Sequence, residues 1–210
     1  MRRVFVDREA PQRDAVQEAA KWIRNGGVVA LPTDTLYGLA ADPFQSDAVA
    51  RVFMVKGRDA GRALPLIAAD VDQIAARLGP LSPAAERLAA KFWPGPLTLL
   101  VPAPVALVRE VTGGSGRVGV RVPDDDIARA ICRAADRPIT ATSANRSGQP
   151  ATADPEEVER TLGKDIDLLV DAGPTRGGPP STVVDLTGTT PKLVRAGAVP
   201  WSEIQAWLGE

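Results

Sequence analysis

The sequence predicts an α/β fold, with strands of both directions in a twisted sheet flanked by helices. Three observations lead there. Short apolar bursts rich in β-branched residues, such as "VVAL" (28–31) and "LTLLVP" (97–102), recur along the chain. Stretches of helical periodicity separate them. Near the C-terminus "DLLVD", "STVVDL" and "KLVRAG" follow one another with no helical pattern between. A chain of 210 residues is expected to form one domain, 1–210.

Residues 3–6 read as a first edge strand. From 14 to 24, "DAVQEAAKWIR" places Val16, Ala19, Ala20 and Ile23 on one helical face, and Asn-Gly-Gly closes it. After "VVAL", Pro32 cannot donate a ladder hydrogen bond. "PTDTLYGL" therefore stands at a strand exit, where open α/β sheets place their ligands. "SDAVARVFMVK" (46–56) is a helix with Ser46 expected at the N-cap and Val49, Val52 and Phe53 as its buried stripe. "LPLIAA" (64–69) reads as a strand and "DVDQIAARL" (70–78) as a helix; Ser82 and Pro83 then supply an N-cap and an N1 proline. In "RVGVRVP" (117–123) the alternation puts Arg117, Gly119 and Arg121 on one face and the valines on the other. A helix over "DDDIARAICRAAD" and a short strand "PITA" (138–141) lead into the polar loop "TATSANRSGQPA". Asp154 and Pro155 open another helix, and "WSEIQAWLG" closes the chain as a short one.

Composition removes whole classes of chemistry. With no histidine, every Ser-His, Cys-His or His-metal scheme is excluded. Cys132, the single cysteine, can form neither an intrachain disulfide nor a cysteine metal site; it reads as a buried small apolar residue. A net charge of -1 argues against indiscriminate wrapping of nucleic acid, although 20 of the 25 cations are arginine. No run approaches the ~18 apolar residues of a membrane span. The N-terminus lacks the apolar stretch of a signal peptide. A cytoplasmic protein is the expectation.

Four segments carry more polar side chains at strand or helix ends than packing requires. The first is "PTDTLYGL". In "KGR", Lys56 and Arg58 end a helix around Gly57, free to swing into a cleft; a compact charge beside a planar fork suits polyphosphate. "TATSANRSGQPA" (140–151) offers small side chains and exposed amides that can cradle anions. Ser181 precedes one strand and Arg195 ends another. No G-x-x-x-x-G-K-[ST] or G-x-G-x-x-G occurs.

Together "GGVVALPTDTLYGLAADPF", "KGR", "WPGPLTLLVP", "VGVRVPDD", "TATSANRSGQPA", "STVVDL" and "LVRAG" resemble the YrdC-like threonylcarbamoyl-AMP synthases, in order, over about residues 14–197. The resemblance implies a YrdC-like fold around a concave basic cavity. It implies a nucleotidyltransferase that makes threonylcarbamoyl-adenylate and pyrophosphate from L-threonine, bicarbonate and ATP with Mg²⁺. A separate transferase would carry the group to tRNA, as N6-threonylcarbamoyladenosine beside the anticodon. By resemblance Thr35, Arg121, Ala141 and Ser181 bind threonine, Ala141 through its backbone. Lys56, Arg58, Ser143, Asn145 and Arg195 bind ATP, with Lys56 and Arg58 also catalytic. Tyr37 and Arg117 are further candidates for pocket lining, and Asp34 and Asp42 outer partners of the metal at most. Some relatives carry Asn and His where Leu64 and Ala69 stand here, and Ser or Thr where Ala151 stands. The alternative is a module of the same fold that binds double-stranded RNA or tRNA without synthase activity. The synthase reading expects weak, salt-sensitive tRNA binding only.

Overall fold

The computed structural model describes residues 1–58 and 61–209. Strand direction is mixed, as expected, and the strands divide between two sheets. The first runs β1 (Arg2–Phe5), β9 (Leu168–Asp171), β2 (Val29–Leu31), β3 (Gly38–Ala40), β8 (Thr142–Ser143). The second runs β11 (Lys192–Arg195), β10 (Thr182–Asp185), β5 (Leu97–Pro102), β6 (Arg117–Arg121), β4 (Leu66–Ile67), β7 (Ile139–Thr140). β9 is parallel to both β1 and β2, while β2, β3 and β8 alternate in direction. In the second sheet β10 is parallel to β5 and β4 to β6, and the β5–β6, β10–β11 and β4–β7 pairs are antiparallel.

One residue, Ala141, separates β7 of the second sheet from β8 of the first. The chain thus crosses between sheets in a single step. Thr140 stitches the crossing: its hydroxyl donates to Leu39 O (3.2 Å) and accepts from Ala41 N (2.9 Å). Ala141 N donates to Pro65 O at 2.8 Å.

Two apolar clusters hold the sheets. α1 (Arg13–Arg24) and α5 (Asp126–Ala135) present Ala19, Ala20, Ile23, Ile131 and Cys132 to strand residues of both sheets, including Leu31, Leu168, Ile67 and Ile139. Cys132 is fully buried, and burial pushes its thiol well above the ordinary range, so it packs and does not react. The larger cluster gathers α2 (Ser46–Lys56), α3 (Val71–Leu78), α4 (Pro83–Phe92), α6 (Pro155–Leu162) and α7 (Trp201–Leu208) around β5, β6 and β10.

Several boundaries follow the sequence. Ser82 accepts from Ala85 N with Pro83 in the first turn, and Asp154 accepts from Glu156 N ahead of Pro155. Others differ. Gln45 occupies the N-cap of α2 without a side-chain cap bond, and Ser46 is the first helical residue. Asp42 organises that entry instead, accepting from Phe44 N at 2.9 Å and from Gln45 Nε2 at 2.8 Å. The strand expected over 64–69 shortens to Leu66–Ile67, because Pro65 has no amide and Asp70 already caps α3. β3, β8 and the 3₁₀ turn Arg109–Thr112 have no counterpart in the sequence reading; each is too short to show a period.

Candidate active site

A cavity of about 590 Å³ opens where Ala141 passes between the sheets, within the usual range for small-molecule sites. Its walls come from every segment singled out in the sequence. Thr33, Thr35 and Tyr37 contribute from the β2–β3 hairpin loop, Ala141 and Ser143 from the crossing, Ser181 from the entry to β10, and Arg58, Arg121 and Arg195 as cations. The "PTDTLY" segment is therefore a hairpin loop and not the open strand exit expected.

That loop is held by its own hydroxyls. Thr33 Oγ1 donates to Leu36 O (2.7 Å) and accepts from Thr35 N (3.2 Å). Thr35 Oγ1 stands 3.2 Å from Thr33 Oγ1. Tyr37 lines the cavity, but its phenol works as a strut, donating to Gly173 O (2.8 Å) and accepting from Ala172 N (3.2 Å). Burial pushes it up to about 12, so it stays neutral.

Arg121 lies nearly buried opposite the loop and pairs with Asp34, whose oxygens stand 2.9 and 3.0 Å from Nη1. One carboxylate fixes one nitrogen of a five-donor fork, which leaves the other donors oriented for a second anion. Ser181 Oγ is 2.8 Å from Thr98 Oγ1 and accepts from Arg195 Nη2 at 3.0 Å. Arg195 also donates through Nε (3.1 Å) and Nη2 (2.7 Å) to Ser181 O. Close packing of backbone makes that clasp: a Cβ on Gly197 would stand 2.3 Å from Pro180 O and 2.5 Å from Ser181 C.

The cations of "KGR" part company. Gly57 adopts φ +60° in the left-handed region, ending α2 and reversing the chain between them. Lys56 turns inward and is 2% exposed, not free to swing. Its Nζ donates to Ser143 O and Asn145 Oδ1, both at 2.6 Å, with Ser143 Oγ at 3.3 Å. It bolts the 143–145 segment to the helix end and is not among the residues lining the cavity. Arg58 does line it. Its Nε and Nη2 are buried with no hydrogen-bond partner among the described residues, and its guanidinium sits 5.7 Å from the Phe53 ring centroid.

All three of these cations are held below their ordinary values. Burial, then Arg58, lowers Lys56 to about 8. Burial, then Arg62, lowers Arg58; burial, then Arg121, lowers Arg195. Cations crowded together and partly stripped of water favour an incoming anion.

Besides Lys56 and Asp34, three candidates fall outside the cavity wall. Arg117 shares the β6 face with Gly119 and Arg121 but lies four residues away, about 13 Å along the strand, and pairs with Asp185. Asn145 faces a neighbouring pocket of about 350 Å³. Asp42 is fully buried and engaged by Arg137. The sequence reading also missed working parts. Asp34 orients Arg121, a role its place between two loop threonines did not announce. Thr98 lines the cavity beside Leu100; a lone hydroxyl alternating with the core residues Leu97 and Leu99 was a usable signal.

A family model, Sua5_yciO_yrdC, described as "Telomere recombination", matches residues 21–197. Over 203 residues the chain is 40% identical to the threonylcarbamoyl-AMP synthase of Pyrococcus abyssi, covering 97% of this chain and 60% of the relative. Over 195 residues it is 40% identical to that of Bacillus subtilis, covering 92% and 56%. The crystal structure of P. abyssi Sua5 complexed with L-threonine superimposes with a TM-score of 0.94 at 39% identity, over 100% of this chain and 62% of that one. The chain thus spans between 56% and 62% of the length of these relatives. With a family model matched from residue 21 to 197, it belongs to the Sua5/YciO/YrdC family.

Proposed function

We propose that the chain is a threonylcarbamoyl-AMP synthase, joining L-threonine, bicarbonate and ATP with release of pyrophosphate. One observation carries the reading. A single cavity combines an oriented arginine beside a threonine-rich loop with two further arginines, Arg58 and Arg195, held below their ordinary values. An amino-acid carboxylate fits the first and a triphosphate the second. The likeness to relatives of that name supports both.

In this reading Arg121 binds the threonine carboxylate, with Thr35, Ser181 and the Ala141 backbone shaping the rest. The amine and bicarbonate give a carbamate and water; a carbamate oxygen attacks the α-phosphorus, and pyrophosphate leaves. Arg58 and Arg195 stabilise charge on the phosphates, and Lys56 acts by holding Ser143 and Asn145 in place. No covalent enzyme intermediate is required. Mg²⁺ would arrive on the triphosphate and neutralise its charge; Asp34 and Asp42 are already committed to Arg121 and Arg137. A separate transferase would consume the adenylate to modify tRNA, with weak, salt-sensitive tRNA binding by this chain. Among the described residues no helix is long and apolar enough to cross a membrane; a cytoplasmic setting is part of the proposal.

The test is pyrophosphate release with threonine, bicarbonate and ATP each omitted in turn. Release should require all three and survive nuclease treatment. Absence of threonine-dependent release, or activity lost with RNA, would favour the RNA-binding alternative.

A further inference from the structure

Thr35 presents its side chain to the cavity, yet its backbone carbonyl is gripped from another part of the chain. Thr175 Oγ1 donates to Thr35 O at 2.7 Å, and Gly177 N donates to the same oxygen at 2.9 Å. Both donors belong to the "GPTRGGPP" segment (173–180) between β9 and β10. Thr175 is itself 8% exposed, and its amide is tied to Ala153 O at 2.9 Å. At the segment's start, Tyr37 donates to Gly173 O. At its end, Ser181 enters the cavity wall. The segment is anchored at both ends and grips the substrate loop in between.

We propose that Thr175 is a positioning residue for amino-acid binding, acting through Thr35; this deepens the synthase reading and rests on it. A carbonyl that accepts two hydrogen bonds cannot rotate its peptide plane without breaking both. With that plane fixed, the Thr35 side chain is held toward the cavity. Remove the Thr175 hydroxyl and one bond remains from Gly177, so the loop loosens while its carbonyl stays partnered. Neither bond to the Thr35 carbonyl involves Arg58 or Arg195. The amino acid should suffer and the nucleotide should not.

The experiment compares wild type, Thr175→Val and Thr175→Ser. The measurements are threonine Kd by calorimetry, the KM for threonine and for ATP, and thermal melting. Thr175→Val keeps the shape and loses the donor. It should weaken threonine binding and raise its KM roughly 3- to 10-fold, the range that one neutral hydrogen bond sustains, and leave the KM for ATP unchanged. Thr175→Ser restores the donor and should return threonine binding to within about twofold of wild type. Should Thr175→Val fail to fold, the smaller Thr175→Ala carries the same expectation. Equal threonine affinity in wild type and Thr175→Val, an equal rise in both KM values, or no rescue by serine would overturn the proposal. A wild-type protein that binds no threonine overturns the synthase reading itself, and this proposal with it.

Discussion

Arg58→Ala and Lys56→Met, two substitutions two residues apart, should have opposite profiles. Removing the Arg58 guanidinium deletes two buried donors that have no partner among the described residues, a relief of ~1–3 kcal/mol. It also deletes the contact with Phe53, which contributes ~0.5–2 kcal/mol. These oppose each other. The net change runs from about 1 kcal/mol of loss to about 2.5 kcal/mol of gain, so Tm should fall by no more than about 4 °C. Activity should behave differently, because loss of one preorganised donor to transition-state charge costs on the order of 100- to 1,000-fold in kcat.

Lys56→Met removes two charge-assisted bonds, ~1.5–3 kcal/mol each. Burial of the ammonium and the nearby Arg58 charge, which together take it from 10.5 to about 8, oppose them with about 3 kcal/mol. Lys56 is then net stabilising at pH 7 by up to about 3 kcal/mol. Its loss should lower Tm by several degrees, up to about 10 °C. Calorimetric melts and steady-state pyrophosphate release decide the matter. An Arg58→Ala protein that melts much earlier yet turns over normally would refute the assignment of Arg58 to the substrate. A Lys56→Met protein that melts at or above wild type would refute the account of Lys56 as a bolt.

The same lysine makes stability depend on pH. Folded Lys56 releases its proton near 8 while an unfolded lysine keeps its own to about 10.5, so the unfolded state binds more protons in that window. The Tm of wild type relative to Lys56→Met should therefore rise between about pH 8 and 10.5, and a narrowing gap contradicts the assignment. Gly197→Ala forces a Cβ into the Pro180–Ser181 backbone and should cost about 1–3 kcal/mol or more in a denaturant melt. Because Ser181 moves with that backbone, the KM for threonine should rise as well. Serine, lacking one methyl, should have a kcat/KM roughly 10- to 200-fold below that of threonine, and equal values would sink a threonine-shaped pocket.

Local signals predicted local facts well. The period-two run at 117–121 put Val118 and Val120 in the core and Gly119 and Arg121 in the cavity wall, because a strand between two different environments must alternate. Ser82, Pro83 and Asp154 marked helix starts because caps satisfy amides within a few residues. The expectation that Lys56 is free to swing failed for the opposite reason. A cation in the last turn of a helix normally faces water, and what buries this one is a loop 87 residues later in the chain. Arg117 shows the same limit: alternation gave its face, but the extent of the cavity along that face depends on which strands neighbour β6.

The division into two sheets has one consequence that ties these cases together. Short strands with no readable period, β3, β7 and β8, make the corner at Ala141. Because the chain changes sheet there within one residue, the hairpin loop of the first sheet faces Thr98, Gly119 and Arg121 of the second across the cavity. A hydroxyl-rich loop and an arginine strand, 80 residues apart in sequence, thus oppose each other through contacts neither encodes alone. Lys56 then fixes the outgoing side of the corner at Ser143, while Thr175 and Gly177 fix the loop at Thr35. The side chains that would meet substrate are set by backbone carbonyls held from outside the cavity. Substitution at those outside donors should therefore alter substrate affinity with no change in any residue that touches substrate.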